Sequence, residues 1–203
     1  TIRKDITLTA KWTENSYTIY FFADSDATTG TGPAKQTVLF SEHTFMPENT
    51  FTKTGYTFLG WSTAKDGTVD YTAGTPVKNL TATDGGSVTF YPIWKANTYT
   101  IKFQLYGTNA GGTTASMTMT YDKAANLTAN GFTKTGYTFS GWHDGTHVIT
   151  GIAQGTTGDI SLTAQWTANT YYVKFEANGG SGSMGDQIFT YDKEGTLTAN
   201  QFT

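Results

Sequence analysis

Cysteine is absent from the 203 residues, which excludes disulfides, thiolate zinc sites and cysteine nucleophiles together. No apolar run approaches the roughly 20 residues that a membrane helix requires, so no membrane insertion is expected of this segment. Residues 1–10 do not read as a signal peptide. Charge is sparse: the 13 basic residues are scattered among 16 acidic ones and form no stripe, which argues against nucleic acid as a partner. What the chain has instead is glycine, threonine and an aromatic content of 15%, enough large side chains to build small cores.

The organising stretch is Gly55-Tyr56-Thr57-Phe58-Leu59-Gly60-Trp61, which returns as Gly136-Tyr137-Thr138-Phe139-Ser140-Gly141-Trp142 with one position changed, Leu59 against Ser140. Tyr17, Tyr99 and Tyr171 open three equivalent segments 82 and 72 residues apart, a spacing that fits a small domain rather than a solenoid rung. The expected division is the closing strand of a preceding repeat in 1–16, full repeats in 17–98 and 99–170, and the first half of another in 171–203, an excerpt of a longer array.

Within each repeat the apolar residues alternate with period two. Tyr17, Ile19 and Phe21 share one face of an opening strand, as do Tyr99, Ile101, Phe103 and Tyr171, Val173, Phe175. Thr18 and Tyr20, Thr100 and Lys102, and Tyr172 and Lys174 fall on the opposite, wet face, as in a mixed or antiparallel sheet exposed on one side. A closing strand recurs as Ile6, Leu8, Ala10, Trp12, as Val88, Phe90, Pro92, Trp94 and as Ile160, Leu162, Ala164, Trp166. Pro92 predicts that this strand lies at an edge or is bulged. Asn178-Gly179 is a turn signal. Asp122 and Asp192 are candidate N-caps of a short helix, an even choice against an irregular crossover because no 3.6-residue stripe follows them. The predicted class is β-rich, of α+β type with at most one short helix per unit. The predicted core gathers Trp12, Tyr17, Phe21, Tyr56, Phe58, Trp61, Trp94, Tyr99, Phe103, Tyr137, Phe139, Trp142, Trp166, Tyr171 and Phe175.

Set in order, Tyr-Thr-Ile-Lys-Phe at 99–103, Gly-Tyr-Thr-Phe-Ser-Gly-Trp at 136–142 and Ile-Ser-Leu-Thr-Ala-Gln-Trp at 160–166 make the chain resemble the Listeria–Bacteroides repeat, also called the internalin-type B repeat. The resemblance covers the whole chain. It implies secreted, cell-wall-attached bacterial proteins, tandem units of β-grasp-like fold, and no catalytic residues. The first copy departs from the pattern in a longer stretch at 64–86 and in a loop at 24–32 that lacks the usual Asn-Gly-Gly.

Candidate chemistry is thin. Residues 180–185 spell GxGxxG, but residues 187–191 alternate like a strand where a dinucleotide site needs a helix. His143 and His147 flank Asp144-Gly145, which reads as a turn without a third metal ligand. Asp24 and Asp26 with Asp66 or Asp70 lack the spaced carboxylates of a dedicated calcium loop. An isopeptide bond needs a buried lysine beside a buried carboxyl, and Lys102 and Lys174 fall on the wet face. Repeated between glycines at a tight turn, Trp61 and Trp142 read as core rather than as sugar platforms; Tyr20 and Tyr172 are the ligand-contact candidates.

These features suggest a non-enzymatic stalk, spacer or adhesin on the bacterial surface, without cofactor or metal, with a host or microbial surface protein or glycan as partner. The alternative is a carbohydrate-binding module using exposed aromatics. Four residues separate Trp94 from Tyr99 and Trp166 from Tyr171, which predicts serial repeats in a monomeric rod. Compact-domain scaling gives a radius of gyration of about 11 Å for one repeat and about 16–17 Å for a single 203-residue globule. Small-angle scattering is expected to give a clearly larger value than the globule; a value matching it would refute the serial arrangement.

Overall fold

The alternation that starts each repeat becomes the middle of a sheet. In a computed structural model describing residues 2–203, the chain divides into two compact units, 1–97 and 98–203. The first contains β1 (Ser16–Phe21), β2 (Gln36–Leu39), β3 (Tyr56–Ser62) and β4 (Gly86–Ala96), in sheet order β2-β1-β4-β3. Here β1 runs parallel to the first half of β4, Tyr17 opposite Gly86 through Phe21 opposite Phe90, and the second half of β4 is antiparallel to β3. The second unit repeats this with β5 (Thr98–Gln104), β6 (Met117–Thr120), β7 (Tyr137–His143), β8 (Val148–Ile149) and β9 (Ile160–Ala168), in order β6-β5-β9-β7-β8. It also holds the hairpin of β10 (Thr170–Val173) with β11 (Gln187–Thr190).

Among the described residues there is no helix, so the class is β-rich and the helical component of the α+β expectation is absent. Where a crossover helix was one option, Thr44–Phe45 pairs with Pro76–Val77 and Ala125–Asn126 pairs with Gly151–Ile152. Asp122 and Asp192 cap nothing: each sits in a turn closed by the next residue, Lys123 N–H to Thr120 C=O and Lys193 N–H to Thr190 C=O, and Asp192 has φ +58°. With no apolar stripe to bury, a helix had nothing to hold it against the sheet.

Each core is centred on the tryptophan of the repeated motif. Trp61 is 0% exposed and meets Phe21, Phe51 and Phe58 edge-on at 4.9, 6.4 and 5.1 Å, while its Nε1–H donates to the Pro47 carbonyl. Trp142, 5% exposed, gathers the equivalent rings, with Phe132 and Phe139 edge-on at 5.9 and 5.0 Å and Phe103 tilted by 48° at 4.5 Å. Such ring pairs contribute about 0.5–1.5 kcal/mol beyond their area burial. Tyr17, Tyr99, Phe90 and Leu162 complete the buried faces, with Trp94 and Trp166 packed against their margins.

The one varying position of the motif is a β-bulge. Pairing slips between Phe58 and Gly60, and between Phe139 and Gly141, so Leu59 and Ser140 stand unpaired and exposed. Gly60 answers a different demand, since a Cβ there would lie 2.5 Å from Val69 and 2.7 Å from the Tyr71 carbonyl.

Pro92 lies inside the sheet rather than at its edge. Opposite it, Trp61 turns both backbone groups to Tyr71, and on the other side the parallel ladder closes with Phe22 N–H to Phe90 C=O. Pro92 therefore interrupts no bond to β3 and coincides with the end of the parallel ladder. In the second unit, where Ala164 takes its place, that ladder runs one pair further, to Gln104 opposite Thr163.

Several residues expected in the core lie elsewhere. Trp12 is 88% exposed, because residues 2–15 pair with no strand and present it to no sheet. Tyr171 is half exposed and stacks on Phe189, and Phe175 is only partly buried, because β10 pairs with β11 alone. Tyr56 and Tyr137 are partly buried outside the central clusters. Tyr137 meets Tyr191 edge-on at 5.6 Å, and its hydroxyl donates to Asp192 at 3.0 Å. A Cβ on Gly136 would fall 2.3 Å from the Tyr191 ring, so this Gly-Tyr pair is a seat for the hairpin that follows.

Trp142→Ala is expected to cost about 3–5 kcal/mol, as large aromatic truncations in cores do. Trp12→Ala should stay within about 0.5 kcal/mol, as surface substitutions do. Denaturant melts of the two variants test the contrast; equal effects would contradict the core described above.

Candidate functional site

The most concentrated polar chemistry lies on the first unit, where the loop after β1 meets the strand pair Thr28–Thr29 and Thr52–Lys53. Asp24 is turned inward, its side chain only 7% exposed, and one carboxylate oxygen accepts from Lys53 Nζ at 2.8 Å. The other accepts from Trp94 Nε1–H at 3.1 Å and from the Thr28 hydroxyl. Burial alone would raise the Asp24 pKa, but the bonds from Lys53, Thr28 and Trp94 outweigh it and hold the carboxyl below its ordinary value. Lys53 also stands 5.0 Å from the Tyr56 ring centre. Beside this network lies an open hollow of about 320 Å³ lined by Lys65, Asp66, Gly67, Pro92 and Ile93 as well as by the network residues.

A part-buried lysine–carboxyl pair thus exists at Lys53 and Asp24, while Lys102 and Lys174 are exposed. It is an ion pair. Three donors keep Asp24 ionised, the opposite of the neutral acid that amide condensation with an amine requires. The sequence carried half of the signal, since Thr-Lys-Thr precedes both copies of the motif; the carboxylate sits in a loop that differs between them.

The other candidates are not assembled into sites. Asp70 accepts from the Ser62 hydroxyl and the Thr63 N–H at 3.0 and 2.9 Å, which closes a turn far in function from calcium ligation. Asp144 accepts from the Thr146 and His147 N–H groups, and His143 Nδ1 accepts from Gly145 N–H. Among the described residues no group of three His, Asp or Glu side chains is arranged to hold a metal. After residues 180–185 comes β11, not a helix, and Asn178 and Gly179 at φ +44° and +92° form a turn closed by Gly180 N–H to Ala177 C=O. Tyr20 is half-buried on the outer face and stacks on the exposed Phe22 at 5.7 Å and 10°, whereas Tyr172 is 61% exposed on β10.

Two copies of one small mixed sheet, with the repeated residues placed in the cores and at a docking seat, define a tandem β-repeat protein. The chain belongs to the Listeria-Bacteroides repeat domain family, whose profile matches residues 17–91 and 99–165. Among curated relatives, a Gly-rich protein of Evansella cellulosilytica, named as a membrane protein, is 33% identical over 87% of this chain and 20% of its own length. A second protein of that organism, also named as a membrane protein, is 29% identical over 87% of this chain and 25% of its own. Internalin H of Listeria monocytogenes is 33% identical over 80% of this chain and 27% of its own. The chain therefore spans about a quarter or less of the relatives it matches. No solved structure matches. No helix among the described residues is long and apolar enough to cross a membrane.

Because the Asp24 carboxyl is held below its unfolded value near 3.9, its network adds stability at neutral pH that is lost as pH falls through the carboxylate range. Asp24→Asn is expected to cost the first unit about 2–4 kcal/mol at pH 7, since it leaves Lys53 without its counter-charge. The difference from wild type should shrink as the pH is lowered below about 4. Thermal melts against pH check both; a pH-independent difference would refute the ionised network.

Proposed function

We propose that this chain is a non-enzymatic, extracellular segment of a bacterial cell-surface protein, serving as a stalk or spacer that carries other parts of its parent outward, with adhesion to a surface protein or glycan as the related role. The observation that carries the reading is where the repeated residues go. Trp61 and Trp142 are consumed by their own cores, and Gly136-Tyr137 by the following hairpin, so repetition serves architecture. The sheet order β2-β1-β4-β3, with its central parallel pair, supports a β-grasp-like unit in which short strand pairs replace the crossover helix. Repeats at 17–98 and 99–170 are the proposed units of length.

A carbohydrate-binding module is the second reading, favoured by the coplanar Tyr20 and Phe22 rings on the outer face and by the exposed Tyr172. Sugars pack against such rings.

Displayed on a bacterial surface between an anchor and a terminal epitope, the segment is expected to raise antibody access to the epitope as repeats are added. An unrelated spacer of equal length should substitute for it. Failure of that substitution, with saturable binding of the isolated segment to glycans that is lost in Tyr20→Ala or Tyr172→Ala, would replace the spacer by the second reading.

A further inference from the structure

The Asp24 network has a counterpart in the second repeat that keeps its cationic and indole donors and has lost its acid. Strand register fixes the equivalence. Ile19 and Ile101 occupy the same place in the parallel ladders, Thr28 opposite Lys53 matches Ala110 opposite Lys134, and Trp94 matches Trp166. The loops between these anchors have the same length, so Asp24 corresponds to Tyr106.

The consequences are visible at each group. Trp166 Nε1 is buried with no hydrogen-bond partner among the described residues, whereas its equivalent on Trp94 donates to Asp24. Among the described residues Lys134 Nζ makes no ion pair, and it sits 4.0 Å from the Tyr137 ring centre, closer than the 5.0 Å of Lys53 to Tyr56. Tyr106 points outward, 75% exposed, and Gly107 keeps the backbone next to Lys134 Nζ, where a Cβ would stand at 3.2 Å. A buried donor without a partner has lost the hydrogen bond it makes to water in the unfolded chain, which a group bringing two acceptor oxygens would restore.

We propose that the second repeat carries a carboxylate-binding site, in which the acid group of a uronic-acid-type sugar takes the place that Asp24 fills in the first. One oxygen would accept from Trp166 Nε1–H and the other from Lys134 Nζ, drawing the ammonium off the Tyr137 ring as Lys53 is drawn off Tyr56. The exposed Tyr106 ring offers the sugar a face beside that anchor. This goes beyond the spacer reading and does not depend on it, since the donors belong to one repeat whatever its length-giving role.

The test is the indole N–H resonance of Trp166 in the isotope-labelled 203-residue chain, titrated with glucuronate, acetate and glucose. Glucuronate and acetate are expected to shift Trp166 saturably, glucuronate at several-fold lower concentration, while glucose does nothing and the Trp94 resonance, already bonded, stays in place. Tyr106→Asp rebuilds the internal acid. In that variant the Trp166 resonance should move without ligand and no longer respond to glucuronate. Lys134→Met should lose the response, and Tyr106→Ala should bring glucuronate down to the affinity of acetate. A Trp166 resonance that ignores glucuronate into the tens of millimolar overturns the proposal, as does a Tyr106→Asp variant that responds like wild type. Equal responses to glucuronate and acetate, unchanged in Tyr106→Ala, would overturn the sugar assignment. Because Tyr106→Asp should raise the thermal midpoint, it remains informative if Lys134→Met fails to fold.

Discussion

One tryptophan per repeat, met at a steep angle by three phenylalanine rings, is the interaction on which each unit depends. A unit of this size buries a smaller share of its chain than a large domain does, and a few large rings must replace many aliphatic contacts. Trp61 and Trp142 do this by reaching three separate segments at once: the opening strand, the segment before the motif, and their own strand. Gly60 follows from the same crowding. With a ring of that size at the centre, the chain beyond must return across Gly60 at a distance no side chain tolerates.

Around this shared core the two repeats differ in how they manage polar groups. The first places an aspartate in its loop and draws a lysine, a hydroxyl and an indole N–H onto it. In the second the aspartate and the hydroxyl have both gone, replaced by Tyr106 and Ala110, while the lysine and the indole stay. The loop is the part least tied to the core, so it can change without disturbing the sheet. The ring and the lysine stem still pack when their polar partner is lost, which explains how they persist.

What was legible in the sequence was what period and repetition encode. Tyr17, Ile19 and Phe21 alternate with their neighbours, and the strand they form is buried at those positions and more open between them. The motif tryptophans announced themselves by recurring between glycines. The helix did not appear because a turn-forming aspartate resembles a cap when only local residues are seen, and the missing apolar stripe was the better guide. Of the two alternatives for Pro92, the pairing beside it does slip at a bulge, between Phe58 and Gly60, whereas the edge alternative failed because it treats a strand as having one neighbour along its whole length. Here β4 changes partner midway, and the proline sits at the change. Tyr137 recurs as faithfully as Trp142 but for a contact with residues 191 and 192, and recurrence alone cannot tell a core residue from a docking residue. Asp24 was unreadable as a partner of Lys53 and Trp94, which lie 29 and 70 residues away.

The placement of β1 beside β4 has a mechanical consequence. These strands carry the two ends of the first repeat, and they run parallel, with Tyr17 to Phe21 laddered against Gly86 to Phe90. A pull on the two ends drags the strands in opposite directions along their length, so the ladder bonds are loaded together in shear instead of opening one after another from an end. The same holds for β5 against β9. Resistance to tension therefore comes from a geometry that no single residue carries.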